Sequence, residues 1–356
     1  LFNLLAHAVA GILDAALFSS GGPLNAIVSL LLLLPGVVIL YLVQQPQPIS
    51  VLSFAAWQAA ATAIALVLAV YWLVQKSLPA SDQPVAAGAT PMLRGSLPLA
   101  AIILTMFLHS RSDAVLLTIL HEGNTTQSGM YASMFRFVDA ATVLSALAAG
   151  FLLSFWARHL QQLQLLRQTM DQFFRMMVAA ALLVALVFFF FAAEIQQWLY
   201  HTQSPIVTEV LRWGMLVLVP AFMVDIFGTL LTANRKLSTF LWIALCCAVL
   251  NIAGNTLLIP RYGALAPALV SVGTHTVFAL LLLRVCVNNW QVFPTGAAWL
   301  RLLVLALLLV LVLIALRSST LPAWSQLICT VVIWLAAVLA LRLFSLSWII
   351  RMKAEN

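Results

Sequence analysis

Residues 97–120 read LPLAAIILTMFLHSRSDAVLLTIL, an apolar stretch interrupted by His109, Arg111 and Asp113. A bilayer-spanning helix needs about 20 mostly apolar residues, so the stretch is long enough to be one span. An Arg or Asp at mid-bilayer costs roughly 3 kcal/mol on insertion scales, and helices that keep one usually aim it at a bundle interior or a water-filled cavity. Arg111 and Asp113 are two residues apart, about 200° around a helix of 3.6 residues per turn. They cannot share a face, so at least one looks elsewhere, toward the next span.

The same pattern continues in both directions. Hydrophobic residues make up 64% of the chain, charged residues 8%, and the mean hydropathy is +1.08. That is the composition of an all-α polytopic membrane bundle. About eleven spans are predicted on the length rule, near 1–18, 24–43, 51–74, 97–120, 128–154, 172–193, 207–232, 238–259, 264–286, 299–316 and 322–345. The runs are too long for membrane-barrel strands and lack their period-two alternation. Six ionisable side chains fall inside these spans: Asp14, Arg111, Asp113, Arg136, Asp139 and Asp225.

Lys and Arg in the breaks set the orientation. One alternate set of breaks holds Lys76, Arg94, Arg158, Arg167, Arg235, Lys236, Arg284 and Arg301, with Arg351 and Lys353 in the tail. The other holds Arg212, Arg261 and Arg317. The first set is read as cytoplasmic, which puts the C-terminus inside. Residue 1 is a Leu within an apolar run, with no basic n-region or cleavage site, so it is not read as a signal peptide. The expectation is an N-terminal lobe lacking three spans. The net charge of +7 follows from the cytoplasmic bias and carries no nucleic-acid inference.

The proline-bearing break 75–96 reads as a cytoplasmic linker. It separates an incomplete N-terminal lobe (1–74, three spans) from a C-terminal lobe (97–288, six spans), followed by two further spans and a tail (289–356). Trp156, Leu160, Leu163, Leu166, Met170, Phe173 and Met177 recur at helical spacing among polar residues. They predict an amphipathic helix on the cytoplasmic surface that runs into span six.

Arg136 and Asp139 are three apart and share a helix face. With Arg111 and Asp113 they form either an ion-pair lattice or the lining of a pathway. Asn251 and Asn255, four apart, also share a face and read as interhelical hydrogen-bonding residues or cavity lining. Pro220 lies five residues before Asp225, and Pro260, Gly263 and Pro267 flank a tight outer turn. Transporters place broken helices beside the substrate path. His109 and His275 read as core or interfacial histidines. Cys246, Cys247, Cys286 and Cys329 fall within predicted helices in no metal-binding spacing. No catalytic motif and no room for a soluble catalytic domain are found, so the chain is not read as an enzyme and needs no cofactor.

Two stretches resemble a known family. Asp113-Ala-Val-Leu-Leu is followed by Ser128-Gly-Met-Tyr-Ala and Phe135-Arg-Phe, similar to an Asp in one helix preceding "G-x-Y-x-x-A-x-R" in the next. The stretch from Leu250 through Asn251, Asn255 and Pro260 to Gly263 and Ala264 is similar to an "N-x-x-x-N-x-x-L-I-P-x-Y-G" turn. Both are features of oligosaccharide-lipid flippases, the O-antigen and capsule repeat-unit translocases of the multidrug/oligosaccharidyl-lipid/polysaccharide exporter superfamily. The Arg-Arg-Gly-like signature of peptidoglycan-precursor flippases, part of which would precede residue 1, is not found.

The resemblance implies a two-lobed, MATE-like exporter fold in the bacterial inner membrane, whose lobes rock in alternating access. Its implied substrate is an undecaprenyl-pyrophosphate-linked oligosaccharide, with H⁺ or Na⁺ as coupling ion. An anionic sugar-pyrophosphate head requires buried cations in a hydrated cavity. Arg111 and Arg136 are the candidates, with Asp113, Asp139 and Asp225 orienting them or titrating. A cavity holding acids without Arg would instead mark a cation-coupled multidrug exporter of the same superfamily. A membrane-embedded glycan polymerase or ligase would use a larger outer loop than any break here allows.

Overall fold

The computed structural model describes residues 89–120, 125–201 and 204–344, with eight helical positions between Ser53 and Val67. The chain divides into two compact units, Leu1–Gly88 and Ala89–Asn356. Asp14, the first two predicted spans, and Arg351 and Lys353 lie outside the described residues.

The second unit is built of nine α-helices among the described residues: α1 (Ala89–Leu120), α2 (Thr125–Arg158), α3 (Leu163–Tyr200), α4 (Pro205–Gly214), α5 (Leu218–Ala233), α6 (Leu237–Tyr262), α7 (Leu265–Trp290), α8 (Gly296–Arg317) and α9 (Ala323–Ala340). A 3₁₀ turn, Met215–Val217, joins α4 to α5. No strand occurs among the described residues. Eight candidate membrane spans are long and apolar enough to cross a bilayer, with α4 and α5 counted as one. The chain is a multi-pass membrane protein, built of helices throughout its described elements.

The span over Pro205–Ala233 is 72% buried, against 17–39% for the others, so it forms the centre of the unit. Around it α5 packs on α2, α3 and α7, while α1 packs on α6 and α6 on α7. Close helix approach in a membrane is favoured by small residues. Gly228 faces the Phe240 ring, where an added Cβ would come within 2.7 Å, and Gly254 faces Val270 at 3.1 Å. The last two helices, α8 and α9, pack on α3 and on each other.

Two breaks have local causes. Pro220 offers no N–H to the carbonyl four residues earlier, and the chain tightens there into the 3₁₀ turn between α4 and α5. In α3 the helix kinks at Phe191 (φ −113°, ψ 20°), and Arg212 Nε donates to the Phe189 carbonyl at 3.1 Å.

Two sequence expectations are corrected. The break at 75–96 is shorter than predicted, because α1 is already helical from Ala89 and carries Pro98 inside it. The predicted amphipathic helix does run into span six, but its apolar stripe is buried in the core rather than laid on the surface. Trp156 ends up in α2, fully buried, with its indole N–H donating to Thr169 Oγ1 at 2.8 Å. Leu166, Met170, Phe173 and Met177 are buried in the core as the first turns of the 38-residue α3. An apolar stripe of that period serves a protein core as well as a lipid surface, and here the core takes it.

Candidate functional site

The predicted site residues separate into two environments. Asp113 on α1 is fully buried among neutral donors. Its Oδ2 accepts from Tyr131 Oη on α2 at 2.7 Å and from Ser271 Oγ on α7 at 2.5 Å. Its Oδ1 accepts from Asn255 Nδ2 on α6 at 2.8 Å. The same amide donates to Asn251 Oδ1 at 3.0 Å, as the four-residue spacing allows. Asn251 Nδ2 reaches Thr274 Oγ1 at 3.4 Å, and Asn255 Oδ1 has no hydrogen-bond partner. Four helices meet at this network.

The second environment is a cavity of about 310 Å³ bounded by α1, α2, α5 and α7. Asp139 and Asp225 line it, and neither Arg111 nor Arg136 does. Asp225 accepts a hydrogen bond from Ser145 on α2 and has no basic partner among the described residues. His109 and His275 meet in the wall, Nε2 to Nδ1 at 3.4 Å with ring centroids 4.6 Å apart. His275 Nδ1 also lies 2.8 Å from the Ser271 carbonyl, so this nitrogen carries the proton and donates.

Arg111 pairs with Asp139, its Nη2 2.9 Å from Oδ2 and 3.1 Å from Oδ1, and stands 4.8 Å over the Phe135 ring. Both partners are 47% exposed at their side chains. Arg136 is exposed and has no hydrogen bond or ion pair among the described residues. Arg111 and Arg136 therefore do not meet in this cavity. The three-residue spacing put Arg136 beside Asp139 on the helix, but the Arg111 guanidinium reaches across from α1 and takes that carboxylate. Asp113, Asn251 and Asn255 likewise sit outside the cavity, in the sealed network.

A family model described as "Lipid II flippase MurJ" matches residues 151–338, more than half of the chain. The chain belongs to the MurJ family. Among solved structures it is similar to "Lipid II flippase MurJ, inward closed conformation", with a TM-score of 0.62 and 15% sequence identity. That match covers 94% of this chain and 68% of the other, and at this identity it speaks for the fold. No curated protein matches the chain. The MurJ family lies within the superfamily that the sequence motifs indicated, but in the peptidoglycan-precursor group, whose Arg-Arg-Gly-like signature the sequence reading does not find. The fold is a MurJ-like transporter fold.

Several residues of the site escaped sequence reasoning. Tyr131 was visible inside the "G-x-Y" stretch but not connected to Asp113. Ser271 and His275 are four apart on α7, a spacing that would have put both on one face. The pairing of His109 with His275 spans 166 residues and leaves no local signal.

Proposed function

We propose that the chain flips lipid II, a lipid-linked peptidoglycan precursor, across the bacterial inner membrane. The observation that carries this reading is the MurJ family match over residues 151–338. The mechanism follows the sequence expectation: two lobes rocking about a central site, with the C-terminus in the cytoplasm and the turn at Gly263 outside. Arg136 is exposed and free of any acidic partner among the described residues, so it can meet an anionic head group without first breaking an ion pair. Arg111 reaches the same role only by releasing Asp139.

A coupling cation, H⁺ or Na⁺, belongs to the same reading. Hard cations prefer oxygen ligands. Asn255 Oδ1 is unpartnered beside the Asp113 carboxylate and Asn251 Oδ1, whose present donors a cation would displace, while Asp225 offers a single carboxylate for a proton. An undecaprenyl-pyrophosphate-linked oligosaccharide is the second reading, supported by the motifs around Ser128–Phe137 and Asn251–Gly263.

Translocation of fluorescent lipid II and of a fluorescent undecaprenyl-pyrophosphate oligosaccharide, measured in proteoliposomes holding the full chain, distinguishes them. Movement of lipid II alone is expected. Movement of the oligosaccharide alone would select the second reading, and movement of neither would overturn both.

A further inference from the structure

The cavity between α1, α2, α5 and α7 has a chemistry that an anionic head group does not explain. Among the described residues, its formally charged lining groups are Asp139 and Asp225. Asp139 is answered by Arg111, which leaves Asp225 as the net charge of the wall, held by one hydroxyl from Ser145. The remaining wall is largely apolar, with Phe107, Phe135 and Phe278 among its residues. Phe135 already carries the Arg111 guanidinium over its ring at 4.8 Å, so a cation on an aromatic face is realised at the rim of the cavity.

Size and lining decide which cation fits. About 310 Å³ lies at the lower end of small-molecule pockets, large for a bare ion. An inorganic ion entering the cavity would exchange its water shell for one carboxylate and a few hydroxyls, too few oxygens to replace it. An alkylated ammonium loses less hydration and gains from both the carboxylate and the ring faces. We propose that this cavity binds a small organic cation whose charged group pairs with Asp225 and whose apolar body packs on Phe107, Phe135 and Phe278. His109, only 3% exposed, contributes its ring to the same wall. The site shares Asp225 with the coupling-proton role given above, but it rests on a different ligand, since none of its lining groups is a cation for a pyrophosphate.

The test is calorimetric titration of the purified full chain in detergent with three compounds. These are choline, its uncharged isostere 3,3-dimethylbutan-1-ol, and benzyltrimethylammonium. Choline is expected to bind about tenfold more tightly than the alcohol, equivalent to about 1.4 kcal/mol, and benzyltrimethylammonium more tightly than choline. Asp225→Asn keeps an acceptor for Ser145 and should weaken benzyltrimethylammonium by about tenfold or more. Phe278→Leu should weaken it less. Equal binding of choline and the alcohol would overturn the proposal without any variant. So would undiminished benzyltrimethylammonium binding in a folded Asp225→Asn protein. A heat with sodium chloride and none with either ammonium compound would assign the carboxylate to an inorganic ion and overturn it as well.

Discussion

Asp113 and Asp225 are both intramembrane carboxylates with no basic partner among the described residues, yet they sit in opposite surroundings. Asp113 is sealed, and donors from α2, α6 and α7 use both its oxygens. Asp225 takes one side-chain hydrogen bond and lines an open cavity. A carboxylate in a membrane is costly in either place. At Asp113 the cost is offset by joining four helices. At Asp225 little protein is joined, so the charge remains available to something that enters the cavity. A charge in a span is thus not by itself a pathway residue; the number of protein donors around it separates the two uses.

Arg136 extends this contrast to cations and should show the largest effect. It is unanswered, whereas Arg111 is held by Asp139. Arg136→Ala is expected to lower lipid II translocation by an order of magnitude or more at normal protein levels, with Arg136→Lys partly active because charge is kept while the guanidinium fork is lost. Because Asp139 is paired with Arg111, adding Asp139→Ala to Arg136→Ala should not restore activity. Recovery in that double variant would mean that Arg136 is a lattice residue after all.

The packed side can be weakened at a distance from Asp113. Gly263 has φ +54° and ψ −135°, a region open essentially to glycine, and a Cβ there would run into the Gln127 amide oxygen. That oxygen accepts from the Ala264 N–H at 2.8 Å, tying the α6–α7 turn to the start of α2. Gly263→Ala should therefore destabilise by about 1–3 kcal/mol in a thermal melt. An unchanged melt would show that the helices joined at Asp113 do not depend on this turn.

The Arg111–Asp139 pair should matter least for stability. With both side chains half exposed, a double-mutant cycle of Arg111→Ala and Asp139→Ala is expected to give a coupling of about 0–1 kcal/mol. A coupling of several kcal/mol would move this pair to the sealed class.

The spans after residue 97 were legible because length and hydropathy alone define them, and each predicted span from 97–120 onward overlaps a helix. Where the prediction missed, the signal was ambiguous. Leu166 to Met177 carry an apolar stripe whose partner, protein or lipid, periodicity does not name. The 200° between Arg111 and Asp113 gave the useful hint that they part company, and they do: one joins the α2 carboxylate, the other the α6–α7 polar cluster. The spacing of Arg136 and Asp139 misled, because sharing a helix face permits a contact without requiring it. The histidine pair and the Ser145 contact to Asp225 depend on distant helices, so no local pattern announces them.

The central contrast is tested most directly by melting Asp113→Ala and Asp225→Ala side by side in detergent. Three interhelical bonds at about 0.6 kcal/mol each sum to about 2 kcal/mol, and a charged acceptor raises that figure. The expected result is a loss of roughly 4–8 °C or more for Asp113→Ala, taking about 2–4 °C per kcal/mol for a unit of this size. Asp225→Ala should melt within about 2 °C of the parent, since one hydroxyl contact is lost. Equal losses, or a larger one at Asp225, would contradict the division into a sealed network and an open site.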